Sequence, residues 1–222
     1  MTTVLRVQGL EGGYAEKIAL KSSIVGRKPA GVSYVEAAAM ALTGLTAVSA
    51  LEETLQLQSG ETILIQGGAG GVAGFAIQFA KHIGARVITT ASAANHAYVR
   101  SLGADELIDY NKVDFVQVVK DCDAALDTVG GEVAERTLLV LKPGGRAAFI
   151  GGPAPEPKHP DVRTLKPPVT RSTERMNRVA DLIDAGVVRP PEIKVYSLDQ
   201  AAEAHRLSQS RHLRGKLVFK IR

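Results

Sequence analysis

One cysteine, Cys122, stands in 222 residues, and tryptophan is missing altogether. A lone cysteine excludes an intramolecular disulfide and fits a reducing compartment, so a cytoplasmic location is expected. It also leaves no thiolate set for zinc. The five histidines, at 82, 96, 159, 205 and 212, are scattered without ligand spacing, so no metal is expected. Aromatic residues make up 5%, and the net charge of +4 is spread along the chain without a dense Lys/Arg block. This argues against nucleic acid as a partner while leaving room for an anionic small molecule. No apolar run reads as a membrane span, and the N-terminus shows no basic segment followed by an apolar one, so neither a membrane nor a secretory role is expected. Internal repeats and low-complexity tracts are absent too. The most telling absence is local: between Glu61 and Asp105 there is no acidic residue.

What is present suits a globular protein. Hydrophobic residues make up 45% and charged residues 23%, enough for one sizeable core with a smaller appendage. From Glu61 onward apolar runs alternate with helical patterns. "TILIQ" (62–66), "RVITT" (86–90), "ELIDY" (106–110), "DAALDTV" (123–129) and "AAFIGG" (147–152) read as strands. Between the first two, Val72, Phe75, Ala76, Phe79, Ala80 and Ile83 form one helical face that Gly84 closes. Further helices are expected through Tyr98 and Leu102, over 114–120 and over 132–141. Strands apolar on both faces, joined by helices, predict an α/β fold with a doubly wound parallel sheet. Residues 153–173 hold six prolines and read as a surface loop and a poor strand. Later strands are expected at 195–197 and 215–221 around a helix at Leu198–Gln209. Upstream, 12–20 alternates like a strand, and the alanine-rich stretch from Tyr34 to Leu57 reads as one or two helices.

The segment "IQGGAGGVAG" (65–74) places five glycines in ten positions directly after the first strand. Gly68-x-Gly70-x-x-Ala73 fits a dinucleotide-binding fingerprint. Alone it is a weak signal. Between a strand and a helix start, where free N–H groups and the helix dipole favour phosphate, it is a strong one. Gly68 allows the tight turn, Gly70 lets a pyrophosphate approach the backbone, and Ala73 lets the helix lie close. A site for NAD carries Asp or Glu about 20 residues beyond the first glycine. The acid-free interval, with Ser92, His96 and Arg100 in that place, favours NADP. It also weighs against a methyltransferase, which "LKPGGR" (141–146) otherwise suggests.

Together "AAAMALTGLTAVSAL", "ILIQGGAGGVAGFAIQFAKHIGARVITTAS", "SLGADELIDY", "ALDTVGG", "LKPGGR" and "RGKLVFKI" resemble the medium-chain dehydrogenase/reductase superfamily, most closely its zinc-independent quinone oxidoreductase branch. The resemblance implies a Rossmann-type sheet over 51–185. It also implies short remnants of a β-barrel (GroES-like) substrate domain: residues 1–50 with a linking helix, and a C-terminal return at 186–222. It implies NADPH as cofactor, a quinone or other α,β-unsaturated carbonyl as substrate, and a homo-oligomer. By motif, Gly70, Gly71 and Val72 would hold the pyrophosphate, and Ser92 and Tyr110 would meet the 2′-phosphate, with His96 where relatives carry lysine. Val129 and Gly130 would border the adenosine and ribose. Phe149, Ile150 and Gly151 would offer backbone groups to the nicotinamide, with Thr46 nearby, and Arg214 and Lys216 would face the cleft. The relatives carry 80–100 further residues before "GGYAE", forming most of the substrate domain, and a sixth strand after the fifth. No catalytic residue stands out. Tyr14, Tyr34 and Lys216 are the only polar candidates for orienting a carbonyl. Two readings stay open: an NADPH-dependent oxidoreductase, weak for want of a full substrate domain, and an NADPH-binding module without turnover.

Overall fold

The computed structural model describes residues 13–157, 159–168, 170–210 and 213–221. The chain divides into two compact units: Thr46–Val169, and the chain up to Leu45 together with Thr170–Arg222. A long helix, α1 (Tyr34–Val48), begins on a reciprocal cap. The Glu36 N–H donates to Ser33 Oγ at 3.2 Å, and the Ser33 N–H donates to Glu36 Oε2 at 2.7 Å. A π-helical turn, Ser49–Thr54, extends it. The resulting 21-residue helix corrects one expectation: by length and composition alone it could span a bilayer, although 67% of its most apolar window is buried.

In the unit Thr46–Val169, strand β1 (Thr62–Ile65) leads into α2 (Gly71–Ile83), then β2 (Arg86–Thr90), α3 (His96–Ser101) and β3 (Glu106–Ile108). The second half runs α4 (Phe115–Val118), β4 (Cys122–Asp127), α5 (Glu132–Thr137), β5 (Leu141–Phe149) and β6 (Arg163–Leu165). All six strands are parallel, in the order β3-β2-β1-β4-β5-β6. The α2 face read from the sequence is the buried one, with Phe75, Ala76, Phe79 and Ala80 inaccessible. Gly84 ends the helix at φ 96°, its N–H donating to the carbonyls of Ala80 and Lys81. On the sheet's β4–β5 side, Phe115, Val119, Ala125, Leu138, Val140, Phe149 and Val162 join one core cluster.

Three expectations change. The proline-rich stretch does contain a sixth strand: Arg163–Leu165 pairs with Arg146–Ala148. It is three residues long and lies between Pro160 and Pro167 on an edge, where missing N–H donors are tolerated. The fifth strand starts at Leu141 rather than 147, because Cys122 pairs with Leu141 and Ala124 with Arg146, the intervening residues forming a bulge with Gly144 at φ 78°. Residues 13–20 form no strand, and Gly12 lies outside the described residues. Tyr14 packs edge-on against Phe219 with centroids 4.7 Å apart and hydrogen-bonds His205 Nε2 at 3.0 Å.

In the other unit, α6 (Thr173–Asp184) is capped by Ser172. Met176 on it joins Ala41 and Leu45 in a small core. Arg27 bridges Asp181 at 2.5 Å and also pairs with Asp184. Strands β7 (Ile193–Tyr196) and β8 (Lys216–Phe219) pair in parallel across α7 (Ala201–Gln209). This two-stranded sheet stands where barrel remnants were expected, and no barrel is visible among the described residues.

Candidate cofactor cleft

The order β3-β2-β1-β4 reverses at β1, so the carboxyl ends of β1 and β4 flank a crevice, the usual ligand position in such sheets. The glycine loop fills that place. Gly67 adopts φ 74°, and its N–H donates to Thr90 Oγ1 at 3.1 Å. The Gly68 N–H donates to the Thr90 carbonyl at 2.9 Å. Gly70 is the N-cap of α2, with no side-chain cap and no acid in the first turn. No side-chain cap thus closes the start of this 13-residue helix, the kind of end at which free N–H groups and the helix dipole favour an anion.

The glycines differ in what they require. A Cβ at Gly68 would lie 2.5 Å from Thr89 Oγ1, so Gly68 serves the fold itself. A Cβ at Gly70 would meet only the Gly67 carbonyl, at 3.3 Å, and its φ is an ordinary −75°. The fold barely needs a glycine there. Gly130 and Gly151 need each other: a Cβ on Gly130 would lie 2.5 Å from the Gly151 carbonyl oxygen, and one on Gly151 2.6 Å from the Gly130 nitrogen.

A polar network beneath the loop escaped the sequence reading. Gln66 is buried at the end of β1. Its Nε2 donates to Thr137 Oγ1 at 3.1 Å, and its Oε1 accepts from Thr90 Oγ1 at 2.6 Å. Thr128 Oγ1 donates to the Gln66 carbonyl at 2.8 Å. Asp127, fully buried, accepts from the Gly130 N–H at 2.9 Å and the Val129 N–H at 3.3 Å, while its backbone carbonyl accepts from the Ile150 N–H at 3.0 Å. Burial pushes the Asp127 carboxyl above its usual range although both N–H groups oppose the shift. The N–H groups of Val129, Gly130 and Ile150 are therefore already engaged. Phe149 is wholly buried. The only advance signal was a polar residue interrupting an apolar strand end.

On the other side of β1, Ser92 follows β2, Tyr110 follows β3 and His96 opens α3. Thr90 is in register with Ile108, so Ser92 and Tyr110 each stand two residues past a paired position on adjacent strands. Ser92 Oγ accepts from Asn95 Nδ2 at 3.1 Å. His96 Nε2 donates to the Ala91 carbonyl at 3.1 Å, which fixes the ring and leaves Nδ1 as the other nitrogen. Tyr110 is 52% exposed. Asp109, next to it, accepts from the Asn111 N–H and Nδ2 at 3.1 and 3.2 Å. Arg100 is exposed on α3, Val72 lies in the first turn of α2 beside Gly71, and Thr46 is half-buried on α1. Arg214 and Lys216 belong to the other unit, where Arg214 Nη2 pairs with Glu192 at 2.6 Å and burial pushes the Lys216 ammonium down. Tyr34 is exposed there, with Lys28 Nζ 5.4 Å from its ring centroid.

Among the described residues no three His, Cys, Asp or Glu side chains group together, and His212 lies outside them. Cys122 is buried in β4, where burial pushes its thiol up to about 12. We expect it to resist a thiol reagent such as Ellman's at pH 8 in the folded protein and to react at once in denaturant; rapid titration without denaturant would contradict its placement.

Residues 102–219 match the family model described as zinc-binding dehydrogenase. The chain is 33% identical to the 2-methylene-furan-3-one reductase of Solanum lycopersicum, over 94% of this chain and 52% of that protein. It is 32% identical to a quinone oxidoreductase of Pseudomonas aeruginosa, over 94% of this chain and 71% of the relative. The solved quinone oxidoreductase from Coxiella burnetii superposes with a TM-score of 0.82 at 35% identity, over 88% of this chain and 63% of that one. The chain thus spans between half and three quarters of the length of these three relatives. On the parallel sheet, the glycine loop and these likenesses, the chain belongs to the zinc-binding dehydrogenase family, in the quinone oxidoreductase-like branch of the medium-chain dehydrogenase/reductase superfamily.

Proposed function

We propose that the chain binds NADPH across the β1 glycine loop and serves hydride transfer to a quinone or another α,β-unsaturated carbonyl. The carrying observation is the uncapped N-terminus of α2 at Gly70, placed at the sheet's switch point, with an acid-free β2 end on one side of it. In this reading Gly70, Gly71 and Val72 hold the pyrophosphate, which the helix dipole favours. Ser92 and Tyr110 receive the 2′-phosphate, and His96, through Nδ1, adds a donor when protonated. Bound NADPH supplies the hydride. The chain's part is to hold the nicotinamide against the acceptor and exclude water. Val129 and Gly130, expected beside the adenosine and ribose, rise from the β4 side of β1, so in this reading they border the ribose at the nicotinamide end, which they and the segment 149–151 shape by surface and carbonyls, since several of their N–H groups serve the fold. The names of the relatives, two quinone oxidoreductases and an enone-type reductase, support the acceptor class. A cytoplasmic homo-oligomer completes the proposal.

The test has two readings. Fluorescence titration should show NADPH binding at least about tenfold more tightly than NADH, roughly 1.4 kcal/mol. Equal affinities would remove the 2′-phosphate assignment. NADPH oxidation with a panel of quinones and enones then separates an enzyme from a binding module: saturable binding without turnover on any acceptor would favour the latter.

A further inference from the structure

We infer that Asp127 is a positioning residue for the nicotinamide half of the cleft, acting through the three loops its turn ties together. The inference rests on the NADPH reading above. Asp127 ends β4, and its carboxylate folds the next residues back by accepting from Val129 and Gly130. Its carbonyl takes the Ile150 N–H as the chain leaves β5. Gly130 and Gly151 are thereby pressed together so closely that neither admits a side chain. Its neighbour Thr128 reaches the Gln66 carbonyl, and Thr128 Oγ1 would stand 2.9 Å from a Cβ on Gly67. The buried carboxylate thus sets the β4–α5 turn, and the Asp127 carbonyl and the Thr128 hydroxyl join that turn to the exit of β5 and to the rear of the glycine loop.

Position in the sheet decides which half of a dinucleotide feels this. Ser92 and Tyr110 rise from β2 and β3, on one side of β1, while Asp127 and its partners rise from β4 and β5, on the other. A cofactor whose pyrophosphate rests on the β1 loop and whose 2′-phosphate meets Ser92 lays its other half over the Asp127 turn. A carboxylate at this depth loses its hydration, and among the described residues the two N–H groups offset that loss. Asparagine in its place would aim an NH2 group at one of those donors. The turn would open without any change at the β2–β3 side.

The experiment compares two probes on the whole chain: NADPH, and adenosine 2′,5′-bisphosphate, which carries only the adenosine end. Asp127→Asn should weaken NADPH by about tenfold while adenosine 2′,5′-bisphosphate binds as before. A role in stability alone would not separate the probes below the melting range. Equal loss of both, or loss of neither, would overturn the inference. If the parent chain binds neither probe, it is the cofactor reading that fails. Should Asp127→Asn not fold, Thr128→Val removes the tether to Gln66 and should give the same selective loss at smaller amplitude, about threefold; unaltered NADPH binding there would overturn the coupling.

Discussion

Gly70→Asp is expected to abolish NADPH binding, by a hundredfold or more on the scale set by like charges forced together, while leaving the fold intact. Two effects oppose the ligand: the new Cβ fills the space a pyrophosphate needs, and the carboxylate repels it at the helix end. The fold has little to lose. Gly70 has ordinary backbone angles, and the added atom meets one carbonyl at 3.3 Å that can give slightly. An aspartate N-cap is itself favourable to a helix. Unchanged or raised thermal stability with lost binding is therefore the expected pair of results. Gly68→Ala provides the contrast, since its Cβ would strike Thr89 Oγ1 and destabilise the protein whether or not cofactor is present. A Gly70→Asp variant that binds NADPH like the parent would mean that no phosphate lies there.

The second large effect is expected from Arg146→Met. Arg146 is 8% exposed at the opposite end of the sheet from the cleft. Its guanidinium donates to both Glu61 oxygens, at 3.0 and 2.6 Å, to the Asp123 and Gln56 carbonyls, both at 3.2 Å, and to the Leu55 carbonyl. It thus closes the π-helical turn after α1 and joins it to β1, β4 and β5. Removing it strands a half-buried carboxylate and several acceptors, and such losses cost about 3–5 kcal/mol. With a urea dependence of about 2 kcal/mol per molar, the midpoint should fall by roughly 1.5–2.5 M. Adding Glu61→Leu should restore part of the loss, because the stranded charge leaves with it.

The same cluster fixes a pH response. Burial alone would raise the Glu61 carboxyl, but hydrogen bonds from Arg146 and the Gln58 N–H outweigh it and hold it below the usual range. Asp123 behaves alike, with Lys142 and the Thr62 N–H as its donors. Both carboxyls therefore bind protons less readily folded than unfolded. Their stabilisation is complete above the unfolded values near 4 and is lost as pH falls through the lower folded ones. In Arg146→Met the acid limb of the stability curve should flatten; an unchanged acid limb would assign the response to other groups.

The sequence made the repeating part of this fold legible. β1 to β5 are apolar runs bounded by glycine or polar residues, and α2 carries a full amphipathic face, so each is marked by its own composition. β6 is not, because one exposed and two half-buried residues among prolines leave no pattern, and the pairing that makes them a strand comes from β5. Residues 13–20 erred the other way: their alternation met no partner strand among the described residues. The phosphate-facing part of the candidate site was readable because glycine is conspicuous. Gln66, Asp127 and Arg146 were not, since a buried polar residue is defined by what folds around it. The motif "LKPGGR" showed its arginine without showing that five acceptors await it.

The strand order also has a consequence in time. β1 lies at the centre of the sheet, yet its partners are far apart in the chain: Ile63 pairs with Val87 on one edge and with Ala124 on the other. As the polypeptide emerges from a ribosome, the first edge closes early, while the second waits for some 37 more residues, roughly 2–7 s at ordinary synthesis rates. During that interval "TILI" presents an unpaired, uncharged, proline-free edge, the kind that accepts any neighbouring strand. The central strand, the best protected part of the finished molecule, is thus its most vulnerable part while the molecule is being made.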